Sequence, residues 1–254
     1  MGSSASRELP QFKGRPGWEF TDISGLDLAA YRPVSADQDT ATAPEPLFAP
    51  QGANELAPGV VVTRIADAPA ELIERYLGSV VTADDVFTTL NDSAEYRSGW
   101  LVYVPPGTVL EQPISLQTVQ PASGTMLHQR TLIVLDQGAQ AEVWEQYLSA
   151  QADLDGVVNV ITELVVGDGA RLRYVCGQSL SERSWIFGAQ RAELARDACL
   201  DWVALGFGSA RGRVRMETRL GGPGAAARVT GAYASRGRQH IDFDTTQELS
   251  LIHI

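Results

Sequence analysis

Between about Pro69 and Asp92 the apolar residues of this chain recur on a helical period; from Trp100 onward they fall on alternate positions or in short unbroken runs. Four phrases carry the second pattern: "VPPGTVLEQPI" around Gly107, "VLDQGAQAEVWEQY" around Gly138, "VVGDGARLRYVCGQ" around Gly169 and "LGGPGAAARVTGAYA" around Gly224. A fifth, "ELARDACLDWVALG", puts Asp197 where the others have glycine. Each phrase predicts an apolar strand, a tight turn and a second, alternating strand; β-branched content and short length favour strand over helix. The turns recur about every 27–31 residues, the spacing of a repeat architecture. A two-strand unit of that length cannot bury its apolar face alone, whereas stacked copies bury it continuously, so the pattern predicts a mostly β chain built as a β-solenoid. Alternation also assigns faces. Leu172, Tyr174 and Cys176 share one side and Arg171, Arg173 and Val175 the other; Val214, Met216 and Thr218 oppose Arg213, Arg215, Glu217 and Arg219. One side packs, and the other is solvated or meets a partner.

Upstream, "VVVTRIADAP" (Val60–Pro69) predicts a short strand and turn. Pro69 opens and Gly78 closes the helical pattern "AELIERYLG". A second helix is expected from Thr82, with its hydroxyl as cap, Asp85 at the N3 position, Val86, Phe87 and Leu90 as the apolar stripe, and an end near Asn91–Asp92. Trp18, Phe20 and Tyr31 mark the segment from Gly17 to Tyr31 as one that docks rather than trails. Residues 1–17 read as loosely held, and 32–58, rich in Pro and Ala, as an extended linker or surface-hugging loop. The chain therefore divides into a partly helical N-terminal region (1–98), an incomplete solenoid core (99–248) and a tail (249–254). That tail, "LSLIHI", breaks the alternation and is what a transposon mosaic-end adapter would encode, so it is read as non-native.

Composition narrows function. A net charge of −11 gives no basic face for phosphates or anionic lipid, which argues against nucleic-acid and membrane partners. No apolar run is long enough to span a bilayer, and no basic-then-apolar leader opens the chain. Two cysteines without metal-ligand spacing read as thiols in a reducing, cytoplasmic compartment.

Candidate chemistry is sparse. His240, Asp242 and Asp244 alternate in "HIDFDT" and so share one strand face, as a metal or proton-handling cluster would, or as a hydrogen-bonded wall would. Cys176 and Cys199 fall on corresponding strands of successive coils and are the remaining metal candidates. His128 reads as a lone surface residue, and "GGPGAA" (Gly221–Ala226), between strands, as a turn rather than a nucleotide loop. No carboxylate pair stands out as general acid and base, so no catalytic residue is assigned. A carbohydrate-active solenoid enzyme, with Asp242 and Asp244 holding calcium, is the alternative from another class.

Four phrases in order carry a family likeness: "GWEFTDISGLDL", "DDVFTTLNDSAEYRSGWLVYVPPGTVLEQPISL", "HQRTLIVLDQGAQAEVWEQY" and "GRQHIDFDTTQE". From about Trp18 to Glu248 the chain resembles the SufD branch of the SufB/SufD family, the early "GWEFTDI" favouring SufD over SufB. The resemblance implies a right-handed parallel β-helix flanked by helical regions, and a role in iron–sulfur cluster assembly. It implies a non-catalytic scaffold subunit of a SufBCD complex, pairing with a SufB-like paralogue through the β-helix and with a SufC-like ATPase through a C-terminal region. That region, and the family's late cysteine and histidine, fall beyond Glu248. A cluster is implied only transiently and at the level of the complex, so no cofactor is assigned to these residues.

Overall fold

Four glycines and one aspartate hold the turns. Gly107, Gly138, Gly169, Asp197 and Gly224 all have φ between 57° and 73°, a left-handed region that glycine enters freely and aspartate tolerates. The turns stack on one another. The amides of Gly107, Gly138 and Gly169 each donate to the next turn's carbonyl (Gln137, Asp168 and Arg196) at 2.8 Å, and Asp197 donates to Pro223 at 2.9 Å. Asp197 thus does the work of the glycine it replaces.

The computed structural model describes residues 9–10, 18–48 and 56–249. Two short strands, β1 (Arg32–Pro33) and β2 (Val61–Arg64), precede the repeats. The repeats are β3 (Trp100–Val104), β4 (Ile114–Gln120), β5 (Thr125–Leu135), β6 (Gln140–Ser149), β7 (Gly156–Val166), β8 (Arg171–Ser179), β9 (Trp185–Leu194), β10 (Cys199–Gly206), β11 (Arg211–Leu220), β12 (Ala226–Tyr233) and β13 (His240–Leu249). Odd-numbered strands from β3 to β13 form one sheet and even-numbered strands the other, so each rung contributes one strand to each wall. Neighbours within the walls run parallel. The chain is a parallel β-solenoid, as the turn spacing predicts. β2 pairs antiparallel with β3 and covers the edge of the first rung.

The inner faces of the two walls meet in one apolar core that includes Val143, Leu172, Leu200, Tyr174 and Trp202. The inward faces follow the expected alternation, with Leu172, Tyr174 and Cys176 buried and Arg171 and Arg173 exposed, but Val175 and Arg213, expected on the outward side, are buried as well. Val214, Met216 and Thr218 are likewise buried.

Two helices, α1 (Ala70–Tyr76) and α2 (Val86–Asp92), lie in the N-terminal region. α2 starts later than expected, and Thr82 does not cap it. Asp85 does: its carboxylate accepts from the Thr88 amide at 2.8 Å, and the Thr88 hydroxyl accepts from the Asp85 amide at 2.9 Å, a reciprocal box that satisfies donors at both positions. Phe87 of α2 stacks on Phe187 of β9 at 4.1 Å, and Trp18 lies 5.7 Å from Phe87. Trp18 and Tyr31 therefore dock as expected. Phe20 does not; it is 77% exposed, because its neighbour Thr21 is the residue turned inward.

Part of the Pro/Ala-rich stretch hugs the surface. β1 pairs with the start of β5, and the amides of Leu47 and Phe48 both donate to Gln146 Oε1 on β6 (2.8 and 3.1 Å). The expected loose segment 1–17 lies outside the described residues apart from Leu9 and Pro10, and the expected tail does so apart from Leu249, the last residue of β13.

Candidate functional site

The alternation of His240, Asp242 and Asp244 on β13 places them opposite Arg213 of β11. The register pairs Arg213 with Asp242, and the guanidinium reaches both acids: Nη1 lies 3.2 Å from Asp242 Oδ2, and Nη2 contacts Asp244. Thr21 Oγ1 donates to Asp242 Oδ2 at 2.6 Å and sits 3.4 Å from His240 Nε2. Arg213 also lies over the Trp18 ring at 5.2 Å. The cluster is thus a hydrogen-bonded, ion-paired tie between the N-terminal segment and the last rungs. A guanidinium holds the two carboxylates that a calcium ion would need, which removes the footing of the carbohydrate-enzyme alternative. Among the described residues no group of three or more His, Cys, Asp and Glu is placed to hold a metal.

The cysteines do stand on adjacent strands, but in different rows. Cys199 of β10 is registered with Arg171, and Cys176 of β8 with Ala204. Cys176 points into the core and Cys199 is half-buried, so the two thiols do not meet. Burial pushes the Cys176 thiol up to about 12, which keeps it protonated and unreactive.

The densest polar arrangement lies inside the solenoid. Glu145 of β6 is fully buried between the walls. Its Oε1 accepts from Thr131 Oγ1 at 2.6 Å and Gln129 Nε2 at 2.7 Å, and its Oε2 from the Tyr174 hydroxyl at 2.5 Å. One rung further, Gln190 Nε2 donates to the hydroxyls of Tyr147 and Thr162 at 3.3 Å, and Cys176 lies 3.7 Å from Gln190 Oε1. A cavity of about 20 Å³ adjoins Tyr147, Cys176 and Gln190. The side chains that donate to Glu145 are all neutral, so no cation among them offsets its burial. Desolvation therefore raises its pKa, with the hydrogen bonds from Thr131 and Tyr174 opposing. A carboxyl whose folded pKa exceeds its unfolded one contributes most below the unfolded range, and that contribution is lost as pH rises through the folded pKa. Glu145→Gln is therefore expected to flatten the loss of stability on the alkaline side of the carboxylate range. Urea unfolding across pH checks this; an unchanged slope would mean that Glu145 does not titrate differently in the fold.

The sequence reading did not single out Glu145; the available signal was that it shares a strand face with Val143 and Tyr147. Its partners were not legible, because they come from β5 and β8. His128 corrects the reading of a surface residue: it is 5% exposed, within β5.

A family model described as "SUF system FeS cluster assembly, SufBD core domain" matches residues 118–252, just over half of the chain. The chain belongs to the SufBD family. The match covers Glu145, Cys176, Cys199, His240 and Asp242. Among similar proteins, the iron–sulfur cluster assembly protein SufD of Bacillus subtilis is 29% identical over 193 residues, covering 74% of this chain and 44% of that protein. A SufBD family protein of Pyropia yezoensis, ycf24, is 35% identical over 123 residues (46% of this chain, 24% of that protein). The chloroplastic SufBD family protein ABCI8 of Arabidopsis thaliana is 34% identical over 119 residues (46% and 21%). The chain thus spans less than half the length of these SufBD relatives. No helix among the described residues is long and apolar enough to cross a membrane.

Proposed function

We propose that this chain is the β-helical part of a non-catalytic scaffold subunit in a SufBCD-type complex of the cytoplasm. It pairs with a SufB-like paralogue through a solenoid wall, and a region outside this sequence binds a SufC-like ATPase. Iron and sulfide are cargo of the complex, and ATP hydrolysis belongs to the ATPase partner. The observation that carries the reading is the SufBD match laid over stacked rungs whose outer rows form charge ladders. In one row Glu142, Arg173, Asp201 and Arg228 follow one another, with Arg173 3.5 Å from Glu142 and 3.8 Å from Asp201, and Arg228 2.7 Å from Asp201. Such a row presents alternating charge at one residue per rung, about 4.8 Å apart. That geometry suits side-by-side docking of a second ladder and sets its register.

The full-length protein, tagged and isolated from its source cells under reducing conditions, is expected to bring down SufB-like and SufC-like proteins in constant ratio. Recovery of the tagged protein alone would sink the scaffold reading.

A further inference from the structure

We propose that a half-enclosed cavity between the N-terminal segment, α2 and the outer face of β5 binds a small, uncharged, apolar molecule that carries a hydrogen-bond acceptor. The cavity holds about 810 Å³, within the range of small-molecule sites. Its walls are mostly apolar, with Leu26 and Tyr31 from the N-terminal segment, Leu90 from α2 and Met126 from β5, while Ser35, Ser93 and Tyr96 bring hydroxyls to its rim. Apart from Val34, which also reaches the core, the residues lining it lie outside the solenoid interior and the charge ladders, so the site stands independently of the scaffold reading.

The one buried polar residue among its described lining gives the cavity its chemistry. His128 lines it and is almost wholly buried. Asn159 Nδ2, held at 2.8 Å from the Phe87 carbonyl, can only donate, and it lies 3.3 Å from His128 Nδ1. Nδ1 is therefore the acceptor, and the neutral ring carries its hydrogen on Nε2. Among the described residues no protein group accepts from that Nε2. Burial, then the nearby Arg97 charge, lower the His128 pKa to about 4, so the ring is neutral and a donor at physiological pH. In a half-enclosed cavity such a donor is left to water, and a ligand carbonyl or ring nitrogen takes that water's place. Exposed Asp27 and Glu95 also line the cavity and disfavour an anionic ligand.

The chain contains a useful internal control. Met126 lines the cavity, while Met216 lies in the core between the walls. With methyl-¹³C methionine in the full chain, 1-indanone is expected to shift the Met126 signal and leave Met216 in place. Indane, which lacks the carbonyl, is expected to bind about tenfold more weakly, the worth of one hydrogen bond of about 1.4 kcal/mol. Indane-1-carboxylate is expected to give no shift. In His128→Phe the preference for indanone over indane disappears, and Leu90→Trp fills the cavity and abolishes binding of both. An unmoved Met126 signal, equal binding of all three compounds, or equal shifts at Met126 and Met216 would each overturn the assignment. The comparison of indanone with indane in the unaltered protein decides the matter even if either variant fails to fold.

Discussion

Replacing Glu163 with alanine is expected to lower the unfolding free energy by about 3–5 kcal/mol, the usual cost of removing one partner of a buried ion pair. Glu163 of β7 is fully buried, and its Oε1 sits 2.7 Å from Arg130 Nη2, whose side chain is also buried. The same carboxylate accepts from the amides of Gly78 (2.9 Å), Val80 (3.0 Å) and Val81 (3.2 Å). It therefore latches the turn after α1 onto the solenoid wall. Alanine leaves the buried guanidinium with only the exposed Asp92 carboxylate, 3.1 Å from Nη1, and strands three backbone donors at once. The loss should be smaller in the double variant Glu163→Ala with Arg130→Met, since the stranded charge goes with its partner. Chemical denaturation of the single and double variants measures this. A loss under about 1 kcal/mol for the single variant would mean that water reaches the site and the latch is not closed.

Trp202→Ala is expected to cost a similar amount, about 3–5 kcal/mol, by emptying the middle of the core. Trp202 on β10 is fully buried, with its ring centroid 5.9 Å from that of Tyr174 on the adjacent rung. Because each rung is braced only by its neighbours, a void there weakens the stack on both sides. Trp202→Phe, which keeps an aromatic ring against Tyr174, should cost clearly less. Thermal unfolding of the two variants separates the outcomes, and equal small losses would show a loosely packed interior.

What could be read in advance followed from period and turn chemistry. The turn at Asp197 was visible because aspartate tolerates the conformation that glycine holds in its counterparts, and alternation correctly turned Tyr174 and Cys176 inward. What stayed hidden came from segments distant in sequence. Every residue of β5 is buried, yet a local pattern predicts one covered face. The second cover over His128 comes from the N-terminal segment and α2, so its burial could not be seen locally. The pairing of Arg213 with Asp242 and Asp244 needed the register of β11 on β13, and so the acidic cluster looked freer than it is. The cap of α2 was misplaced for a local reason: Thr82 and Asp85 are both good capping residues, and only Asp85 has Thr88 three positions on to close the box.

The scaffold claim is tested most directly by titrating the full-length protein into fixed amounts of separately purified SufB-like and SufC-like partners and measuring iron–sulfur clusters formed. A scaffold subunit gives a yield that climbs in proportion to the amount added and breaks at the stoichiometric ratio. Full yield from a small fraction of that amount, or a yield indifferent to its presence, would contradict the account.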